Sequence, residues 1–169
     1  KKMDQVEYEM EYLNVPGDLR TRIKTYYDYI YINRQNLGSK LIILQENGMS
    51  KPLRQRVAIH IYKDLLLKTS LFHEASDGVL GMICEMINRV IYMPDEMICR
   101  KGELGKDFFI IAKGLVCVLP NEEEAVRNTV LLTEGAFFGE IGIIMDVERT
   151  RTVVAKSITE LCILNRQDF

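Results

Sequence analysis

The hydrophobic pattern of this chain changes period near residue 89. Upstream of that point it is helical. Val6, Met10 and Leu13 recur at helical spacing and stop before Pro16-Gly17, a break-and-restart signal. Asp18 is placed to cap a second helix carrying Leu19, Ile23, Tyr26, Tyr27 and Ile30. Leu41 to Leu44 forms a short apolar turn or helix closed by Asn47-Gly48. Ser50-Lys51-Pro52 opens another helix through Val57, Ile61, Leu65 and Leu66, because proline is tolerated in a first turn. Asp77 is expected to cap a further helix with Val79, Leu80, Ile83, Met86 and Ile87.

Downstream the period falls to two, in short runs broken by turn residues. Val90 to Met93 ends at Pro94-Asp95, and Met97 to Cys99 at Lys101-Gly102. Phe108 to Ala112 ends at Lys113-Gly114, and Leu115 to Leu119 at Pro120-Asn121. Thr129 to Leu132 ends at Glu134-Gly135, and Thr152 to Ala155 and Leu161 to Leu164 complete the set. Such runs predict an antiparallel barrel, roll or sandwich. A helix-like stretch, Phe138 to Ile144, interrupts them. The expected fold class is α+β: helices followed by an antiparallel β-roll. Glu122-Glu123-Glu124 reads as a solvated hairpin tip.

Composition narrows the function. The chain has 169 residues, 47% of them hydrophobic, enough for a core. A net charge of −2, with both signs mixed along the chain, gives no electrostatic reason to expect nucleic acid as a partner. No apolar run approaches the roughly 20 residues that span a bilayer, so no direct membrane insertion of this segment is expected. No secretory signal is visible. The four cysteines, Cys84, Cys99, Cys117 and Cys162, are widely spaced in apolar contexts and read as reduced, buried thiols. His60 and His73 have no neighbour at ligand spacing, and no metal or cofactor is expected. No nucleophile triad, paired catalytic carboxylates or triphosphate-binding glycine loop is present, so an enzyme is not the expected reading. The first residues, Lys-Lys, and the last, Gln167-Asp168-Phe169, suggest a piece of something larger.

The chemistry concentrates in Phe138-Gly139-Glu140-Ile141-Gly142-Ile143-Ile144 with Arg149-Thr150. Glycine lets a backbone approach a ligand closely, and the planar guanidinium fork of Arg149 matches phosphate oxygens. Glu140 can accept from sugar hydroxyls. In isolation the segment is a candidate phosphate–sugar cradle. Arg149 read alone is a surface strand residue paired with Glu148 or Asp146, and Glu140 can equally cap the turn.

Three motifs in order give the segment a context. Lys101 to Asp107, Phe109 to Gly114, and Phe138 to Thr150 resemble the cyclic-nucleotide-binding domain. The resemblance implies that residues 77–169 form a helix and an eight-stranded roll of the double-stranded β-helix or jelly-roll type, with a phosphate-binding cassette between the sixth and seventh strands. Residues 1–76 resemble the helical linker of channels carrying this domain, through Gln5 to Leu13, Val15 to Ile23, Tyr26 to Tyr29 and Leu53 to His60. Ile98 to Gly102 is most like the cyclic-nucleotide-gated channels, with the hyperpolarisation-activated channels second.

By that resemblance Arg149 pairs with the cyclic phosphate. The backbone of Gly139 and Gly142, with Thr150, supplies further phosphate donors, Ile141 belongs to the ligand site, and Glu140 accepts from the ribose 2′-hydroxyl. Val118, Val130 and Leu132 face the purine, although each judged singly is an ordinary core residue. The implied ligand is cGMP or cAMP, with Thr150 favouring cGMP competence. The implied setting is the gating region of a tetrameric cation channel on the cytoplasmic face of the plasma membrane. Glu148 and Arg151 depart from the family pattern, and the resemblance implies that the helix lidding the base would begin where the sequence stops. A vestigial binding domain of a voltage-gated potassium channel, or the regulatory domain of another transporter, stands as the alternative.

Overall fold

The computed structural model describes residues 2–33, 49–120 and 129–168. The expected turn at Leu41 to Leu44 and the hairpin tip at Glu122 to Glu124 lie outside them. The chain divides into two compact units, Lys1–Leu41 and Ile42–Phe169.

In the first unit, α1 (Lys2–Tyr12) and α2 (Gly17–Ile32) are joined by a tight turn at Asn14, whose φ is +50°. Lys24 pairs with Glu7 at 2.7 Å, and Arg20 donates to the Val15 carbonyl at 2.7 Å. Met10 is buried, but α2 buries no residue fully. Its tyrosines stay partly or wholly exposed, with Tyr26 and Tyr27 in an edge contact at 5.5 Å. Asp18 lies inside the first turn of α2 and caps nothing, because the helix begins one residue earlier after Pro16.

The second unit opens with α3 (Lys51–Lys68), which has Pro52 in its first turn, and α4 (Asp77–Met86). Ser76, not Asp77, is the cap of α4: its hydroxyl accepts from the Val79 N–H at 3.4 Å. Asp77 instead pairs with Lys63 on α3 at 2.8 Å.

Ten strands follow among the described residues: β1 (Asn88–Tyr92), β2 (Met97–Cys99), β3 (Leu104–Gly105), β4 (Asp107–Lys113), β5 (Val116–Val118), β6 (Val130–Leu132), β7 (Phe137–Phe138), β8 (Val147–Glu148), β9 (Val153–Ala155) and β10 (Thr159–Asn165). One four-stranded sheet runs β1-β10-β4-β7, a second runs β2-β9-β5-β6, and β3 pairs with β8. All pairings are antiparallel. The fold is α+β with an antiparallel roll that does not close into a barrel. The strand count corrects the expected eight. A single-turn helix, α5 (Ile141–Ile144), falls between the seventh and eighth strands. The additional strands are two-residue pieces held by tertiary pairing, too short to leave a period in the sequence.

Strand alternation divides the core. On β4 and β10, Phe108, Ile110, Cys162 and Leu164 face α3 and α4, joining Ala58, Tyr62, Leu66, Leu80, Ile83 and Cys84 in one buried cluster. Phe109, Ile111 and Leu161 face the roll interior with Val116 and Val153. Glu160, also buried, is paired with Arg89 across β1 and β10 at 2.6 Å.

Candidate functional site

Arg149 leaves β8 and turns its guanidinium into a cradle of glycines. Its backbone is fixed first: the Arg149 N–H donates to the Glu103 carbonyl at 2.7 Å, and the Gly102 N–H donates to the Arg149 carbonyl at 2.8 Å. Gly102 can serve that turn because its φ is +86°, where side-chain-bearing residues are strained. The side chain is fixed next. Nη2 donates to the Asp107 carbonyl at 2.5 Å and Nη1 to the Gly139 carbonyl at 3.3 Å. The guanidinium also lies over the Phe109 ring, 5.4 Å from its centroid. Phe109 in turn stacks on Phe138, its cross-strand partner, at 4.8 Å and 15°.

Glycine makes this geometry sterically accessible. A Cβ on Gly105 would come within 2.8 Å of the Arg149 guanidinium carbon. One on Gly139, whose φ is +81°, would collide with Arg149 Nη1 and sit 2.8 Å from the Asp107 carbonyl oxygen. One on Gly142 would sit 2.7 Å from the Gly105 carbonyl oxygen, so α5 could not lie against β3.

The electrostatics point one way. Arg149 is half-buried, yet among the described residues it makes no ion pair. Asp146 is paired with Arg166 instead, and Glu148 is exposed on β8. Two of the five guanidinium donors are engaged, both by neutral carbonyls. Carbonyls orient the group and leave its positive charge uncompensated. That arrangement suits an anion with oxygens at fork spacing. Nearby, burial pushes the Cys99 thiol up, while the Arg149 cation pulls it in the opposite direction.

The structure places Gly139 against Arg149 and packs Gly142 on Gly105 beside them. Glu140, Ile141 and Thr150 stand exposed on the rim. Glu140 makes no capping bond to α5, which leaves its carboxylate unclaimed by that role. Val118 and Leu132 are half-buried against the roll interior, continuous with Phe138. Val130 is 52% exposed and faces the same side as its partner Val118. Four contributors have no role assigned from the sequence: Gly105, the Asp107 carbonyl, Phe109 and Phe138. All four residues stand in motifs already singled out. A main-chain acceptor leaves no residue-type signal. Phe138 reads as helix from sequence but sits on β7.

No helix among the described residues is long and apolar enough to cross a membrane. Residues 89–169 match the family described as Cyclic nucleotide-binding domain. Over 99% of its length the chain is 27% identical to cyclic nucleotide-gated channel alpha-3 of Homo sapiens, covering 24% of that protein. It is 28% identical to a cyclic nucleotide-gated cation channel of Ictalurus punctatus, covering 25% of it. It is 27% identical to cyclic nucleotide-gated channel alpha-2 of Homo sapiens, covering 26% of it. The chain thus spans about a quarter of the length of the curated relatives it matches.

Proposed function

We propose, starting from a chain homologous along 99% of its length to cyclic nucleotide-gated channels, that it is the cyclic-nucleotide-sensing gating region of such a channel. The observation that carries this reading is the half-buried guanidinium of Arg149, oriented by two carbonyls and paired with no carboxylate among the described residues. A cyclic phosphodiester carries one negative charge, which one guanidinium neutralises. Charge-assisted bonds of this kind contribute about 1.5–3 kcal/mol.

In this reading Gly139, Ile141, Gly142 and Thr150 border the phosphate, and exposed Glu140 accepts from the ribose 2′-hydroxyl. Val118, Val130 and Leu132 offer an apolar wall to the purine of cGMP or cAMP. The domain acts as a non-enzymatic sensor on the cytoplasmic face of the plasma membrane. Residues 1–76 are its linker to the pore and to neighbouring subunits of a tetramer. Ligand shifts the gate only by its differential affinity for the open and closed states. Moving from 1:99 to 99:1 requires about 5.5 kcal/mol, which four sites can share.

Calorimetric titration with cGMP and cAMP tests the reading. Arg149→Ala should weaken binding by about 10- to 150-fold while the protein stays folded. Failure of the wild-type chain to bind either nucleotide at high micromolar concentration would replace this reading with that of an interaction-only domain.

A further inference from the structure

We infer that Asp107 and Asn165 are positioning residues for Arg149, setting the guanidinium from the paired ends of β4 and β10; this rests on the reading of Arg149 as an anion-binding group. Asp107 is the first residue of β4 and Asn165 the last of β10, and the two are strand partners. The Asp107 carbonyl accepts from Arg149 Nη2 at 2.5 Å. Its carboxylate Oδ1 accepts from Asn165 Nδ2 at 2.6 Å. The other end of the Asn165 amide is also held: its Oδ1 accepts from the Gln167 N–H at 2.9 Å. Those two bonds fix which way the amide faces.

A carbonyl can aim at a guanidinium only while its peptide plane is held. At a strand end the ladder holds that plane from one side only. Asn165 supplies a second hold by gripping the Asp107 side chain, and Arg166 fixes the preceding peptide by donating its N–H to the Lys106 carbonyl at 2.8 Å. The sheet itself has no need of the Asn165 bond, since the next pair inward, Phe108 with Leu164, is fully buried in the helix-facing core. The exit of β10 is therefore linked to the anion site through Asn165, Asp107 and Arg149. Movement at that exit would re-aim Arg149, and an anion drawing Arg149 off the Asp107 carbonyl would loosen the exit.

The test uses the full 169-residue chain. Asn165→Ala should lower cGMP affinity about ten-fold with little change in melting temperature. The reciprocal pair Asp107→Asn with Asn165→Asp, which restores a donor opposite an acceptor, should recover most of the loss. In the ligand-free protein, the Arg149 Nε–Hε resonance should shift or broaden in Asn165→Ala and return in the reciprocal pair. If Asn165→Ala does not fold, Asn165→Ser carries both measurements. Wild-type binding that is lost in Arg149→Ala but unchanged in Asn165→Ala overturns the inference and leaves the functional reading intact. Absence of binding by the wild type overturns that reading; the ligand-free resonance then decides the inference, and an unmoved signal overturns it.

Discussion

The two faces of β4 and β10 share a backbone and differ in almost everything else. Facing α3 and α4, Phe108, Ile110, Cys162 and Leu164 are fully buried, with Phe108 in edge contact with Phe72 at 6.0 Å. Facing the roll, Phe109 and Ile111 are also buried, but their neighbours Val118, Leu132, Phe138 and Ile163 are only partly so. At that open end a cation rests over an aromatic ring. The first face is closed by helices and contributes stability. The second is left accessible, and its cation is held by backbone carbonyls. A strand two residues out of phase keeps both faces; a strand one residue out of phase exchanges them.

The contrast can be broken most severely at Phe108. Phe108→Ala leaves a cavity under α3 and α4 and should cost about 3–5 kcal/mol of stability, measured by urea denaturation. Nucleotide affinity of the remaining folded fraction should stay near that of wild type. If affinity falls while stability holds, the two faces are not separable as described.

Gly139→Ala is the opposite perturbation. It forces an alanine into φ +81° and into the space of Arg149 Nη1. The strain should cost about 1–3 kcal/mol, expressed more in nucleotide affinity than in melting temperature. An affinity equal to wild type by calorimetry would remove Gly139 from the cradle.

Titration separates the faces more gently. Burial pushes the Cys162 thiol up from 9.0 to about 12 and Cys84 from 9.0 to about 11, both in the helix-facing cluster. Tyr62 beside them rises from 10.0 to about 12, mainly by burial. Below about pH 9 these groups are protonated in both the folded and unfolded states, and the stability associated with their neutral form is fully present. Above pH 9 the unfolded chain releases protons that the folded chain retains, so stability falls as pH rises. The loss should be about 1 kcal/mol per pH unit for a buried thiol, seen as a lower denaturation midpoint at pH 10 than at pH 8. A midpoint unchanged over that range would mean these thiols are less shielded than their burial indicates.

The smallest effect is expected at Lys68, whose ion pair with Glu134 at 2.9 Å is exposed on both sides. Lys68→Ala should change stability by about 0.5 kcal/mol or less and leave affinity alone. A larger change would show that α3 is held to the roll by charge as well as by its apolar face.

The helix-facing region was the more legible in sequence. α4 carries its helical period plainly, while β4 and β10, buried on both faces, stand out as apolar runs bounded by turn residues. The cap of α4 lies one residue from the expected Asp77, since Ser76 and Asp77 are both competent and only the ion pair with Lys63 assigns their roles. Around the cradle the motif residues Gly139, Gly142 and Arg149 were visible from residue type and spacing. Their supports were not. The β3–β8 pair and β7 exist only because distant segments meet, and the acceptors of the Arg149 fork are carbonyls that any residue would supply.

No substitution can delete a backbone oxygen, so mutation reaches the orientation of Arg149 only indirectly. It can replace the arginine, thicken one of the three glycines, or disturb whatever holds the peptide planes. The mutational target is narrow. The surrounding rim, including Glu148 and Arg151, can therefore drift and retune how strongly an anion is attracted without dismantling the device that receives it.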